Sequence, residues 1–313
     1  MPQPIVPFVL AEDEILDCLP DYIAGLRLHK ISINKKYHDL VLHKGQSQEQ
    51  IISLSPFRFA RILNLANGLA YGDGLGMPEW VMLDCALLPS FFAGFMGPAE
   101  LLSINQRDAI NEGLETSELG RLTARIQLEA ELDVPLGRLK AEEYIPLAEF
   151  CALARGPLKQ VLAYSLYSLK GGLGISSKAL GLALWRSLGY QAQMGVAQWS
   201  NLAAVRAHLR FGRLEIIDPL TPLHTKAGES FVYKIHIPII EDLEQIIQQA
   251  FSTSKRSKPN TYLDTDQRLL YWQALDDLDW CLKQKTQIGH QIYVYGIRRQ
   301  YSDNKVVEIL VGH

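Results

Sequence analysis

The chain has 313 residues, 48% hydrophobic and 21% charged, a globular profile long enough for two domains or for one with large additions. A formal net charge of -3 argues against a nucleic-acid binder that depends on a basic surface. Four cysteines, Cys18, Cys85, Cys151 and Cys281, lie far apart with no Cys-x-x-Cys, which makes neither a zinc pattern nor a disulfide framework and points to a reducing cytoplasm.

The start, Met1-Pro-Gln-Pro-Ile-Val-Pro, has no basic residue and is broken by prolines, so it makes a poor signal peptide. Residues 1–46 are mixed. Ile31–Leu42 holds a strand candidate blurred by Lys35-Lys36 and His38-Asp39. Ser55-Pro56 then opens a helix. Its apolar face is Phe59, Ile62, Leu63 and Ala66, and Gly68 is its expected end. Tyr71-Gly-Asp-Gly-Leu-Gly76 reads as a connector, because no clear strand precedes it; a ligand loop is the alternative. Trp80–Leu88 reads as a buried strand, continued by Ser90–Met96. These are core elements or the lining of an acyl tunnel. Asp84 is a buried carboxylate or a turn residue. With Pro89 it also keeps this stretch short of a membrane span.

Leu101–Glu118 is polar with scattered leucines, helical or irregular. Arg121–Leu132 alternates apolar and polar with strict period two, the pattern of a strand with one buried face. Asp133–Gly137 turns the chain. Tyr144–Ala154 is a second strand, with Pro146 near its start and Glu149 in its middle. Arg155-Gly-Pro157 is a turn signal.

The most informative stretch is Gln160 to Pro219. It reads strand (Gln160–Leu169), glycine turn (Lys170, Gly171, Gly172, Leu173, Gly174), helix (Ile175–Leu188) and strand (Ala192–Ala197). Gly189 suits the C-terminus of that helix. Ser200-Asn201 caps a second helix ending near Gly212, and Leu214–Ile217 is a strand stopped by Asp218-Pro219. A glycine turn that opens a helix exposes several N–H groups at the positive end of the helix dipole. That is a site for a phosphate, or simply a tight strand-to-helix turn.

The segment Asn201-Leu-Ala-Ala204-Val-Arg-Ala-His208-Leu-Arg-Phe-Gly212 has the spacing Asn-x-x-Ala-x-x-x-His-x-x-x-Gly. Together with the glycine turn it resembles the GNAT superfamily of acetyl-CoA-dependent N-acetyltransferases. The family's pattern is Gln/Arg-x-x-Gly-x-Gly/Ala, a helix, a strand, then Asn-x-x-Ala-x-x-x-Tyr-x-x-x-Gly-Phe. Three positions depart: Leu169 stands for Gln or Arg, His208 for Tyr and Arg213 for Phe. The resemblance spans roughly Leu119 to Ile239.

The resemblance implies direct attack of an amine on the thioester of acetyl-CoA or another acyl-CoA, with no covalent enzyme intermediate and no metal. It implies that strand 160–169 runs parallel to strand 192–198 and pairs with the pantetheine arm. A backbone N–H there would polarise the thioester carbonyl. Leu169, Lys170, Gly171, Gly172, Gly174, Ile175 and Ser176 would hold the pyrophosphate, with Asn201 closing the motif. His208 would protonate the leaving thiolate; the plain alternative is a half-buried helix residue. Glu149 would be the base, unless it only faces solvent or a basic neighbour. Ser176 and Lys178 would add phosphate contacts or face water. The acceptor would be a small-molecule or peptide amine, with no nucleic acid and no membrane span. The expected place is the cytoplasm.

After Pro219 a strand, Ser230–Ile237, is followed by a helix, Ile240–Phe251. Ser252–Asn260 is a basic, Ser-rich linker, read as an exposed mobile loop; a contact for a nucleotide phosphate is the alternative. Asp264 caps an expected helix with Leu270, Ala274, Leu278 and Cys281/Leu282 on one face. Gln291–Tyr295 and Lys305–Val311 form a closing hairpin.

The fold class is α/β: a GNAT-like mixed sheet flanked by helices, with an N-terminal α/β region and a C-terminal helix plus β-hairpin. The expected domains are 1–118, a region with the length of a degenerate GNAT-like half; 119–239, the acyltransferase; and 240–313. Two other readings stand beside it. One is a transglutaminase-like or papain-like scaffold, in which Trp185–Gly189, His208 and Asp218-Pro219 match and Gly174 stands where the catalytic Cys is needed. The other is an inactive GNAT-like binding protein. His208 on a strand would favour the first of these; His208 on a helix favours the GNAT-like reading.

Overall fold

The computed structural model describes residues 5–33, 56–72, 76–77, 89–116, 138–198, 201–221, 230–249, 251, 268–271, 291–299 and 307–312. The strand readings at Trp80–Leu88 and Arg121–Leu132 and the loop Ser252–Asn260 lie outside them. The chain forms two compact units. The first comprises Met1–Ala154, Tyr164–Leu188 and Ile240–Ser252, the second Arg155–Ala163, Gly189–Ile239 and Thr253–His313.

In the first unit β1 (Val6–Ala11) is followed by a short helix α1 (Asp13–Cys18), the two-residue strands β2 (Tyr22–Ile23) and β3 (Leu26–Arg27), and β4 (His29–Ser32). Next come the helix α2 (Pro56–Tyr71), β5 (Ser90–Pro98), the helix α3 (Ile104–Thr116) and β6 (Tyr144–Arg155). β7 (Gln160–Ser168) leads through the glycine turn into α4 (Leu173–Ser187). The strand order is β4-β1-β5-β6-β7. β1 is parallel to β4 and antiparallel to β5, so the sheet is mixed.

All nine residues of β5 are buried, because helices cover both of its faces. Phe92 and Met96 join Phe8, Leu10, Phe59, Leu63 and Cys151 in the cluster under α2. Phe91 and Phe95 point the other way. Phe91 stacks on Trp185 of α4 at 4.5 Å, and Phe95 meets Phe251 edge-on at 5.4 Å. Phe251 follows α6 (Ile240–Gln249), which packs on α4. The predicted helix at Pro56 runs through Gly68 to Tyr71, and Gly72 at φ +71° ends it. The helix propensity of the residues around Gly68 outweighs one glycine.

In the second unit the first residues of β7 pair in parallel with β8 (Ala192–Gln198), as the resemblance implied: Gln160↔Ala192, Val161↔Gln193 and Leu162↔Met194. β8 continues along β10 (Ser230–His236) from Ala192 to Gln198, antiparallel. The cap at Asn201 opens α5 (Leu202–Leu209); its side chain accepts a hydrogen bond from the Ala204 N–H at 3.1 Å. β9 (Leu214–Thr221) pairs with β10 and with β12 (Ile292–Arg299), which pairs with β13 (Val307–Gly312).

Two further expectations are corrected here. β9 does not stop at Asp218-Pro219 but continues to Thr221, and its pairing with β10 shifts register there. A bulge absorbs the missing proline N–H. Leu270 does not lie on a helix; Arg268–Tyr271 is β11, antiparallel to β13. Ala274, Leu278 and Cys281 lie outside the described residues.

Candidate active site

β6 is apolar along nearly its whole length, yet Glu149 in its middle is completely buried. Glu149 opposes Gly94 of β5 and shares a face with Cys151, the face that α2 covers. The carboxylate accepts a short hydrogen bond from the Ser165 hydroxyl of β7. Asn67 of α2 donates to the Ser165 oxygen at 2.7 Å and lies 3.5 Å from Glu149 Oε1. The Asn67 carbonyl oxygen in turn accepts from the Met77 N–H at 2.7 Å, which fixes the amide's orientation. Ser165 therefore accepts from Asn67 and spends its own proton on Glu149.

Glu149 Oε2 has no hydrogen-bond partner among the described residues. Burial pushes the carboxyl up to about 7, against the opposing effects of the Ser165 and Asn67 hydrogen bonds. A carboxylate with one oxygen oriented, the other unpartnered and a pKa near neutrality suits proton abstraction. Sequence reasoning singled out Glu149 but missed Asn67 and Ser165. The signal for Asn67 was a polar residue one turn beyond Leu63 on the apolar stripe of α2.

Leu169 N–H donates to the Leu147 carbonyl at 2.8 Å. Successive strand residues point their backbone groups to opposite edges. The N–H and C=O of Leu166 therefore face the edge of β7 turned away from β6. The Tyr71 hydroxyl of α2 takes both: it accepts from the Leu166 N–H at 3.1 Å and donates to the Leu166 carbonyl at 2.9 Å.

The glycine turn begins two residues after β7. Gly172 is the N-cap residue of α4 at φ +95°, a conformation that a side chain strains. A Cβ on Gly171 would meet nothing within 4 Å, so that side of the turn is open. A Cβ on Gly174 would lie 3.3 Å from the Ser168 Cβ, so this glycine brings helix and strand together. The first turn of α4 carries no acidic residue to oppose an anion. These features fit the pyrophosphate of a CoA.

The other candidates are placed as follows. Leu169 packs against the core cluster, and its carbonyl accepts from Gln106 of α3 at 3.1 Å. Lys170 and Ile175 are half-buried. Ser176 is buried and donates to the Ile246 carbonyl of α6 at 3.4 Å, so its hydroxyl does not face water. Lys178 is also fully buried, and burial holds its ammonium well below the usual lysine range. His208 lies on the helix α5, not on a strand, which is the arrangement the scaffold alternative does not have. Its buried ring sits 4.6 Å from that of Tyr233, whose hydroxyl accepts from Gln193 at 3.0 Å. Glu149 and the glycine turn belong to the first unit, Asn201 and His208 to the second. Among the described residues no group of three or more His, Cys, Asp or Glu is arranged to hold a metal, and no helix is long and apolar enough to cross a membrane.

No protein-family model and no curated protein matches the chain. Solved structures do. One is the ribosomal-protein-S18-alanine N-acetyltransferase of Escherichia coli, 10% identical, with 57% of this chain and 88% of that one covered at a TM-score of 0.36. Another is Mycobacterium smegmatis RimJ in complex with CoA-disulfide, 11% identical, covering 51% and 90% at a TM-score of 0.31. A nourseothricin acetyltransferase is 15% identical, covering 30% of this chain and 59% of that one at 0.27. The chain thus spans less than two thirds of that last enzyme's length. These overlaps are loose, and the GNAT-like reading rests on this chain's own strand, glycine turn, helix and parallel strand.

Proposed function

We propose that the chain is an acyltransferase that moves an acyl group from an acyl-CoA to an amine. Acyl-CoA supplies the activated thioester. The backbone edge of β7 turned away from β6, near Leu166, pairs with the ligand's amide-bearing arm, and the N–H groups of Gly171, Gly172 and Gly174 hold its pyrophosphate. Glu149 takes a proton from the acceptor amine, directly or through a water. Ser165 and Asn67 hold Glu149 Oε1, which leaves Oε2 for the proton. A backbone N–H on the β7 edge supports the charge that develops on the carbonyl oxygen. The proton for the departing thiolate is assigned to His208.

The observation that carries this reading is the buried Glu149, with one oxygen held, the other unpartnered and its pKa near 7. The acceptor is a small-molecule or peptide amine, and the working place is the cytoplasm. The unit we assign to acyl transfer is 119–239, supplemented by Asn67 and Tyr71 from α2. A thermal-shift screen with acetyl-CoA, longer acyl-CoAs and free CoA tests it. Stabilisation that rises with ligand concentration supports the reading. No shift at millimolar concentration of any CoA leaves a binding protein for some other ligand.

A further inference from the structure

We propose that Tyr71 is a placeholder for the ligand, its hydroxyl holding the Leu166 N–H and C=O that the amide-bearing arm of acyl-CoA needs, so that the ligand binds by displacing it. The inference rests on the acyl-CoA reading and goes beyond it by naming a residue that sets affinity from outside the chemistry.

The stereochemistry is simple. A phenol offers one donor and one acceptor lone pair, which matches the acceptor and donor of one strand residue. Tyr71 uses both on Leu166, at 2.9 and 3.1 Å. An extended arm with two amides can present the N–H of one and the C=O of the other to the same two partners. An N–H has one hydrogen, so hydroxyl and amide compete.

The position of Tyr71 lets it leave. It is the last residue of α2, and the residue is 38% exposed. Gly72 follows at φ +71°, its N–H bonded to the Gly68 carbonyl at 2.9 Å. Release of the hydroxyl gives up its bonds to Leu166 and its contact with Ser165, and one helical turn absorbs the movement. Asn67 lies one turn earlier and is anchored separately by Ser165 and Met77. A ligand that displaces Tyr71 binds with less net affinity than the same contacts would otherwise give.

The test is calorimetric titration of free CoA into the wild-type chain and Tyr71→Phe. Phe keeps the ring and removes the hydroxyl. The proposal expects Tyr71→Phe to bind CoA about three- to thirty-fold more tightly, the effect of one or two neutral hydrogen bonds lost to competition. Equal or weaker binding by Tyr71→Phe overturns the placeholder and leaves the acyl-CoA reading standing. CoA binding to neither protein overturns both. Hydrogen exchange on the wild-type chain needs no variant and decides alone if Tyr71→Phe does not fold. Amides of residues 68–72 should exchange faster with CoA bound. Unchanged or slower exchange contradicts displacement.

Discussion

The Ser165 hydroxyl accepts from Asn67 at 2.7 Å and donates its own proton to Glu149. This fixes the direction of the chain of hydrogen bonds and the charge state it favours. Burial raises the Glu149 pKa from 4.5 to about 7 in the folded protein. The folded state therefore binds this proton more tightly than the unfolded state. The stabilising contribution is complete below about pH 4.5 and is lost as pH rises through about 7, by about 3 kcal/mol in total. Glu149→Gln removes that dependence. Urea unfolding at pH 5 and pH 8 should show the variant gaining on wild type at the higher pH; parallel stabilities would place the Glu149 pKa near its free value.

The same group predicts a pH profile for turnover. Activity should rise with pH along a limb centred near 7, as Glu149 ionises. Ser165→Ala removes a donor that lowers the pKa, so the limb should move to higher pH. A limb that stays in place would mean that another group titrates.

His208 is tested by substitution with Phe. The ring contact with Tyr233 at 4.6 Å survives in shape. If the imidazole donates to the leaving thiolate, kcat should fall by ~10²-fold with CoA affinity nearly unchanged. An unchanged kcat would leave His208 a packing residue.

Arg58 and Glu143 form a paired contact, Nε to Oε1 at 2.5 Å and Nη2 to Oε2 at 3.0 Å. Both side chains are nearly buried, 6% and 10% exposed. Arg58→Met should cost about 3–5 kcal/mol in chemical unfolding, because it strands the Glu143 charge. A loss under about 1 kcal/mol would mean that water reaches the pair.

The stretch from Gln160 to Gly212 was legible because its punctuation is local. Gly172 and Gly189 mark the ends of α4, and Asn201 caps α5. Tyr144–Ala154 was legible from its apolar run. β1 was not: Pro7 interrupts Val6–Ala11, and the strand is held by pairing with β5 and β4, which no local pattern displays. Leu270 misled because period alone cannot tell a short strand paired with distant Val307–Gly312 from a helix turn. Glu149 was legible as a candidate base, but its burial was not. Burial came from α2, whose Asn67 and Tyr71 lie 82 and 95 residues from their partners Glu149 and Leu166. Gly174 also gives room to the Ser168 Cβ, a close approach of helix and strand that no local pattern displays.

The most direct measurement is calorimetric titration of acetyl-CoA into the wild-type chain and Gly171→Val. A side chain at Gly171 points into open space, so the variant should fold with unchanged stability. The account predicts saturable binding to wild type at sub-millimolar concentration, weakened about ten-fold or more in Gly171→Val by obstruction of the turn's N–H groups. Absence of binding to wild type at millimolar acetyl-CoA, or equal affinity in the folded variant, would contradict a CoA site at the glycine turn.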